Sequence, residues 1–243
     1  MTKLAGYAAW LAALLLLASC GSGGSGGKQT AIVASTIASQ TPSPTSTAPP
    51  VDPIDQCDSV VAGMKAPLHP LNGQDPVLVI SRRKLAALPL TLQNPTRSVG
   101  VSRVTSVNQY VNSTSVLDPE VWRSSMIADG FTVAEEIGYQ AGPDYFGAEA
   151  LRFPSVAKAA DFQRRTLTAT CNAGVVDGMK QIPALPGSFL FARSDTGPPF
   201  RASLVIGPNV VHLNLCECVE TVDPIGLLGR WAIRVAVQLG VRS

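Results

Sequence analysis

Residues 201–219, RASLVIGPNVVHLNLCECV, decide the fold of this chain, because they predict two strands joined by a tight turn. Residues 201–206 and 210–219 are rich in apolar residues, and Gly207-Pro208-Asn209 supplies turn residues between them. Strands that are joined by so short a turn pair in opposite directions. The stretch therefore predicts a β-hairpin.

Further strands are predicted on the N-terminal side of this hairpin. Residues 131–139 and 145–153 predict a second hairpin, with Gly142-Pro143-Asp144 at its turn. Residues 99–111 predict a strand with turns, and residues 189–192 predict one more strand. Strands grouped as hairpins are typical of an antiparallel sheet.

Several helices are predicted from the residues that begin or end them. Asp118 is an N-cap residue for a helix over residues 119–128, and Ser155 is one for a helix over residues 156–170. Residues 82–88 predict a shorter helix, which a proline then ends.

The last helix, which Asp223-Pro224 begins, has the clearest helical pattern. Its apolar residues recur at steps of three and four and form one continuous stripe: Ile225, Leu228, Ala232, Val235 and Leu239. Helices between and after hairpins predict an α+β fold. We expect a single domain over residues 55–243, with a twisted antiparallel sheet and helices packed on one face.

The N-terminus has the pattern of an export signal. One lysine precedes the apolar run 4–17, which is shorter than the roughly 20 residues that span a bilayer. The run ends in Leu17-Ala18-Ser19-Cys20, which resembles the lipobox of bacterial lipoproteins. That resemblance implies a signal peptide over residues 1–19 and a diacylglyceryl group on the sulfur of Cys20. An uncleaved membrane anchor is the alternative.

A tether is predicted between this signal and the domain. Residues 21–27 are only glycine and serine, and residues 41–50 are mostly proline, serine, threonine and alanine. Such compositions bury too little apolar surface to offset the entropy of ordering. Residues 20–54 are therefore predicted to be a lipidated N-terminus and a disordered linker.

Composition limits the class of protein. The chain has 243 residues, a formal net charge of +2 and only 15% charged residues. This balance argues against a basic nucleic-acid-binding protein and against a polytopic membrane protein. No nucleic-acid partner is predicted.

Four further cysteines predict disulfides, because an exported protein meets an oxidising compartment. Cys216 and Cys218 share one face of a predicted strand, which favours bonding each to a different partner. We expect one bridge from Cys171 to Cys216 or Cys218, and another from Cys57 to the remaining one. Free thiols, or a metal site with His212, are alternatives. The metal site is disfavoured because His212 and Cys216 lie about 13 Å apart along an extended strand.

Residues for catalysis are few, so we expect no enzyme, no metal and no cofactor. The chain has two histidines, His69 and His212, and it lacks the zinc-protease and phosphate-binding motifs. Glu135 and Glu136 are adjacent on a strand and face opposite sides. A triad that assembles across the fold is compatible with any sequence order, so a hydrolase remains an alternative.

The region from about Pro76 to Val241 resembles the PknH-like extracellular sensor domain. The resemblance rests on a series of short motifs in order: Leu78-Val79-Ile80-Ser81, Asp118-Pro119-Glu120, Asp129-Gly130-Phe131-Thr132, Phe153-Pro154-Ser155, Phe200-Arg201-Ala202 and Asn209-Val210-Val211. It implies an antiparallel sheet packed against helices, two disulfides and an open cleft for an unknown extracellular ligand. Val121 stands where that family usually has a cysteine.

Together these observations predict a lipid-anchored domain on the outer face of the cell membrane. Our leading hypothesis is a sensor-like protein that binds a small molecule, a lipid or a cell-wall fragment without catalysing a reaction. The polar and aromatic residues Tyr139, Tyr145, His212 and Asn214 are the candidate ligand contacts. A module that binds another envelope protein is the second hypothesis.

Overall fold

The structure is a computed structural model that describes residues 57, 61–63, 67–86, 97–114, 116, 118–141, 144–193, 200–216 and 223–241. All of them belong to one compact unit, Ala48–Ser243. The predicted signal peptide, Cys20, the tether and Cys218 lie outside the described residues. The described residues do not test those predictions.

Seven strands and five helices are formed by the described residues. The strands are β1 (Arg97–Val104), β2 (Val133–Ala141), β3 (Asp144–Arg152), β4 (Val176–Ile182), β5 (Leu185–Arg193), β6 (Phe200–Ile206) and β7 (Asn209–Leu215). The helices are α1 (Pro76–Ser81), α2 (Val107–Ser113), α3 (Pro119–Ala128), α4 (Val156–Asn172) and α5 (Pro224–Gln238). None of these helices combines the length and apolarity that are needed to cross a bilayer.

The strands form one sheet in the order β1-β2-β3-β7-β6-β5-β4, and every neighbouring pair is antiparallel. Two meanders, β1-β2-β3 and β4-β5-β6-β7, are joined along the single pairing of β3 with β7. The predicted α+β class, the antiparallel sheet and the single domain are confirmed. Both predicted hairpins are present, as β2–β3 and β6–β7.

The helices lie on both faces of the sheet, which differs from the expected arrangement on one face. Side chains of α1 and α5 pack with one face in an apolar core that includes Ile80, Leu213 and Trp231. Side chains of α3 and α4 pack with the other face, where Trp122 and Phe162 are buried. The reason lies in the central strands, because β6 and β7 are buried at nearly every position and need cover on both sides.

Three helices begin where their N-cap residues predict. The side chains of Asp118, Ser155 and Asp223 each accept a hydrogen bond from a backbone N–H in the first turn of α3, α4 and α5. The predicted stripe of α5 is in the core, and Leu228, Ala232, Val235 and Leu239 are completely buried.

Three local predictions are corrected. The short helix is Pro76–Ser81 rather than 82–88, because Asp75 caps it and Pro76 occupies its first turn. The predicted strand 99–111 is β1 followed by α2, whose N-cap is Ser106. Strand β4 was not predicted, because its sequence VDGMKQI lacks a clear alternation.

A disulfide joins Cys57 to Cys171, with 5.6 Å between their Cα atoms. The predicted pairing of Cys171 with Cys216 or Cys218 is therefore wrong. Cys171 lies in the last turn of α4 and packs with Cys57, Phe189 and Phe191 on one side of the sheet. Cys216 is itself disulfide-bonded, but it packs against the apolar core on the other side.

Loss of the Cys57–Cys171 bond is expected to lower the free energy of unfolding by about 3–5 kcal/mol, since the bond closes a long loop in the unfolded chain. The single variant Cys57→Ser and the double variant C57S/C171S should be destabilised equally in urea unfolding, because either one removes the cross-link. Recovery of a Cys171–Cys216 peptide in non-reducing peptide mapping would contradict this assignment.

Candidate functional site

Five polar side chains form one row across the face of the sheet that α3 and α4 cover. The strand registers place Ser102 beside Glu136, Glu136 beside Glu149, Glu149 beside His212, and His212 beside Ser203. These five residues are called the polar row below. Because alternate residues of a strand face the same side, the row shares its face with the aromatic core around Trp122.

The polar row runs from solvent into the protein interior. Ser102 and Glu136, on β1 and β2, are exposed. Glu149 and His212 have only 4% and 3% of their surface accessible, and Ser203 has 1%. Solvent therefore reaches the row from the β1–β2 side.

The carboxylate of Glu149 accepts two hydrogen bonds from different elements. The Tyr110 hydroxyl, on α2, donates to Oε2 at 2.8 Å, and His212 Nδ1 lies 2.8 Å from Oε1. A buried carboxylate is costly unless such donors meet it. Glu149 therefore ties α2 to β3 and β7.

The charge state of this group follows from its contacts. Burial raises the pKa of Glu149, but the hydrogen bond with His212, the charge of Arg201 and the hydrogen bond from Tyr110 lower it by more, so the pKa falls below its usual value. Burial lowers the pKa of His212 despite the neighbouring carboxylate. Burial and the charge of Glu149 raise the pKa of the Tyr110 hydroxyl. At neutral pH we assign an ionised Glu149 and a neutral His212 that carries its proton on Nδ1.

Glu136 is the ionisable group at the solvent end of the row. Protein surrounds it enough to remove part of its hydration, and the negative Glu149 stands opposite on β3. These two effects, the first being larger, raise the pKa of Glu136 to about 6. The Ser102 hydroxyl, 3.4 Å from its Oε2, and the charge of Arg201 oppose the rise.

A second row on the same face adjoins Glu136 and Glu149, and we call it the recess because two of its positions are glycines without side chains. Gly138 and Gly147 face each other on β2 and β3, and Asn214 and Arg201 continue their row on β7 and β6. Among the described residues, a Cβ atom on Gly147 would come within 4 Å of a backbone oxygen alone, at 3.6 Å. The Arg201 Nε donates to Asn214 Oδ1 at 2.8 Å and is fixed at the side of this recess.

The buried end of the row has polar atoms that lack a partner. The ring of Trp122 meets the ring of His212 edge-on at 5.9 Å, and Gln163 Nε2 donates to Ser203 Oγ at 3.0 Å. Trp122 Nε1 and Gln163 Oε1 are buried and make no hydrogen bond within the part of the chain that the structure describes. Trp122 Nε1 is a hydrogen-bond donor, and Gln163 Oε1 and His212 Nε2 are acceptors. This end of the row therefore offers one donor and two acceptors to a small polar group.

The structure brings two of the four predicted ligand contacts together. His212 and Asn214 share the recess side of β7. Tyr139 lies on the opposite face, where its ring stacks on Phe146 at 5.2 Å and its hydroxyl donates to the Leu85 carbonyl. Tyr139 is therefore a core residue. Tyr145 pairs with Gln140 in the β2–β3 hairpin, and its side chain lies outside what the structure describes.

Sequence reasoning missed the residues that hold the site together, namely Tyr110, Trp122, Glu149, Gln163 and Arg201. The one available signal was Glu149, which interrupts the apolar run FGAEAL of residues 146–151. A charge at an inward position of a strand is unusual unless it is paired. Glu135 and Glu136 do face opposite sides, as predicted, since Glu135 pairs with Arg103 and Glu136 stands in the polar row.

Within the described ranges, no three histidine, cysteine, aspartate or glutamate side chains are grouped as metal ligands. The only side-chain hydrogen bond that the described residues give His212 is the one to Glu149. Ser203 lies beside His212 across the β6–β7 pairing but bonds Gln163.

Comparison with known proteins gives one similar solved structure. No protein-family model matches the chain, and no curated protein matches it in sequence. The extracellular domain of PknH from Mycobacterium tuberculosis is similar at 12% sequence identity, with a TM-score of 0.41. The match covers 65% of this chain and 95% of that one.

Tyr110→Phe is expected to lower the free energy of unfolding by about 2–3 kcal/mol, because it removes a donor from a buried charged acceptor. Tyr139→Phe is the matched control, and it should cost about 1 kcal/mol or less, since its acceptor is a neutral carbonyl. Urea unfolding of both variants measures the difference. Equal losses would mean that Glu149 does not depend on the Tyr110 hydroxyl.

Glu136→Gln is expected to stabilise the protein at pH 7 by about 0.5–1 kcal/mol, a value reduced for solvent screening at this exposed site. Folding raises the pKa of Glu136 from 4.5 to about 6, so the folded state binds the extra proton between those values. The penalty for the charged wild-type side chain thus grows as pH rises through this window. Urea unfolding at pH 4 and pH 7 should show the gain only at pH 7.

The control for this measurement is Glu120→Gln, which changes an exposed carboxylate that pairs with Arg123. It should give no gain at pH 7. A gain of the same size in both variants would show a general effect of charge rather than the pairing of Glu136 with Glu149.

Proposed function

We propose that this chain is a lipid-anchored, extracytoplasmic, sensor-like protein that binds a small polar molecule without catalysing a reaction. The recess beside Glu136 and Glu149 is the proposed binding site. The single observation that carries the proposal is the buried, hydrogen-bonded Glu149–His212 pair with an exposed carboxylate directly opposite it.

The cost of this arrangement supports a functional role. Burying ionisable groups in the middle of a sheet is unfavourable relative to apolar packing, even where the groups are paired. The central positions on the other face of the same sheet are apolar, so burying them carries no such desolvation cost. Clusters with strongly shifted pKa values are found preferentially at functional sites.

The chemistry of the recess indicates the ligand class. Two carboxylates, Glu136 and Glu149, stand side by side, and Asn214 is half-buried at the edge of the recess. This arrangement favours a ligand that presents an ammonium group or several hydroxyl groups to Glu136. A cell-wall fragment that contains sugars with free hydroxyl or amino groups would be such a ligand.

The location is proposed from the sequence. The lipobox-like Leu17-Ala18-Ser19-Cys20 supports anchoring at Cys20, and the composition of residues 21–50 supports a flexible link to the domain. Two acyl chains on Cys20 would hold the protein stably at the membrane. Signalling would then require a partner protein that senses the loaded domain.

A hydrolase is the alternative with one observation in its favour. Glu149, His212 and Ser203 follow one another across β3, β7 and β6, in the order acid, base and hydroxyl. Against it, Ser203 is 1% accessible and its hydroxyl accepts a bond from Gln163. A nucleophile needs contact with both its base and its substrate.

Native mass spectrometry of the protein purified from the organism that makes it tests the proposal. Wild-type protein is expected to carry a non-covalent adduct that is lost on denaturation. Glu136→Gln should retain at least about 10-fold less of it, because the amide cannot pair with a cationic donor. That same variant is expected to be more stable at pH 7, so a loss of binding would not come from unfolding.

Glu120→Gln is the matched control, and it should retain the adduct in full. Wild-type protein without an adduct, or an adduct that Glu136→Gln retains equally, would contradict the proposed site. Recovery of a hydrolysed product instead of an intact ligand, with its loss in Ser203→Ala, would favour the hydrolase.

A further inference from the structure

A second surface, remote from the polar row, lies where α1 meets the C-terminal end of α5. A groove of about 450 Å³ is found there, and its lining includes Leu78, Arg82, Lys84 and Gln238. Both helices pack on the apolar face of the sheet, so this surface and the recess lie on opposite faces. It is called the α1–α5 corner below.

Two chain segments that contribute to the corner, residues 76–117 and 224–243, contain no acidic residue. Between Asp75 and Asp118 the sequence has five basic and no acidic residues, and from Pro224 to the C-terminus it has three basic and none acidic. The rest of the chain carries 11 basic and 17 acidic residues, so it is net negative. Of the eight basic residues in these two segments, Arg82, Arg83 and Lys84 lie at the corner itself.

The backbone presents three consecutive basic side chains at the end of α1. Arg82 ends the helix, Arg83 has a left-handed backbone with φ of 55°, and the Lys84 N–H donates to the Val79 carbonyl at 3.0 Å. All three side chains are exposed, and none has an ion-pair partner among the described residues. A left-handed position favours glycine, yet an arginine occupies it.

Helix α5 holds this basic turn in place. Gln238 Nε2 donates to the Lys84 carbonyl, and Trp231 Nε1 donates to the Ala86 carbonyl at 2.7 Å. Because the turn is bonded to a packed helix, its charges are presented on a fixed surface. The one acidic residue of the groove, Asp75, is occupied as the cap of α1 and as the partner of Arg152.

Exposed apolar side chains also occur in the chain segments that form this corner. Only four large hydrophobic residues of the described part are exposed, and Leu71, Leu78 and Val237 are three of them. Leu78 lines the groove, and the Leu71 N–H donates to the carbonyl of Gly240, one turn beyond Val237. Exposed apolar side chains that are grouped in this way mark an interaction surface.

We propose that the α1–α5 corner docks onto an anionic lipid bilayer. Arg82, Arg83 and Lys84 contact lipid phosphates, and the groove accommodates a headgroup. The exposed leucines and Val237 enter the interface between headgroups and acyl chains. The apolar side chains favour a bilayer over a nucleic acid, because a nucleic-acid backbone offers no apolar region to receive them.

Vesicle cosedimentation of the chain 48–243 tests this proposal. The fragment contains the whole compact unit with every described element, and it lacks Cys20, so binding must come from the surface of the fold. The probes are vesicles of phosphatidylglycerol and phosphatidylcholine at 30:70, and of phosphatidylcholine alone, each at about 50 and 150 mM salt. Wild-type protein should bind the anionic vesicles at least about 10-fold more tightly, and more weakly at high salt.

Two variants with the same change in charge distinguish binding through the α1–α5 corner from a general effect of net charge. Each basic residue near an anionic surface strengthens binding by about five-fold, so R82E/K84E should lose at least about 25-fold. R164E/K180E carries the same change at exposed positions on α4 and β4, and it should lose less than about three-fold. Circular dichroism and urea unfolding check that each variant is folded.

Leu78→Asn tests the apolar contribution, because Leu78 is 45% exposed and its loss should not disturb the core. It should weaken binding by about five-fold while leaving the salt dependence unchanged. Equal binding to both vesicle types, or equal losses in the two charge variants, would overturn the proposal. Tighter binding to duplex DNA than to anionic vesicles would also overturn it and would indicate a nucleic-acid surface.

Discussion

The pairing of β3 with β7 is the constraint on which this structure depends. Each of the two meanders can form from neighbouring hairpins, but only this pairing joins them into one sheet. It brings together residues about 60 positions apart, such as Glu149 and His212. Their hydrogen bond lies on this seam, so the same contact links the two halves of the sheet and forms the centre of the candidate site. The register of one strand pair thus fixes both fold and site.

The two faces of the sheet differ in the kind of side chain that they bury. Under α1 and α5 the strands are apolar, and the large ring of Trp231 fills the space between them. Under α2, α3 and α4 the aromatic core stops at the polar row, where Glu149 keeps its charge through hydrogen bonds. The first face supplies stability through apolar area, which is insensitive to pH. The second face contains Glu136, Glu149 and His212, whose pKa values are shifted by burial and by neighbouring groups, so this face responds to pH.

Sequence reasoning was most successful where a local rule determines the structure. Asp118, Ser155 and Asp223 set the starts of three helices, because a side chain that caps the first turn acts over only three residues. Pro76–Ser81 was harder, since a six-residue apolar run suits a strand or a helix equally until its cap is recognised. The candidate site depends on strand register, which places Arg201 beside Asn214 and Glu136 beside Glu149. No local pattern encodes those distant neighbours.

The Cys57–Cys171 bond also determines how a mechanical load travels through the protein. It connects two positions that are 114 residues apart, and the enclosed loop contains β1, β2, β3 and the first three helices. Tension applied between the two ends of the chain passes through the sulfur–sulfur bond and bypasses that loop. The elements that carry Tyr110, Glu136 and Glu149 would therefore not be extended by such a pull. Among the described elements, the strands and the helix that follow Cys171 would bear it.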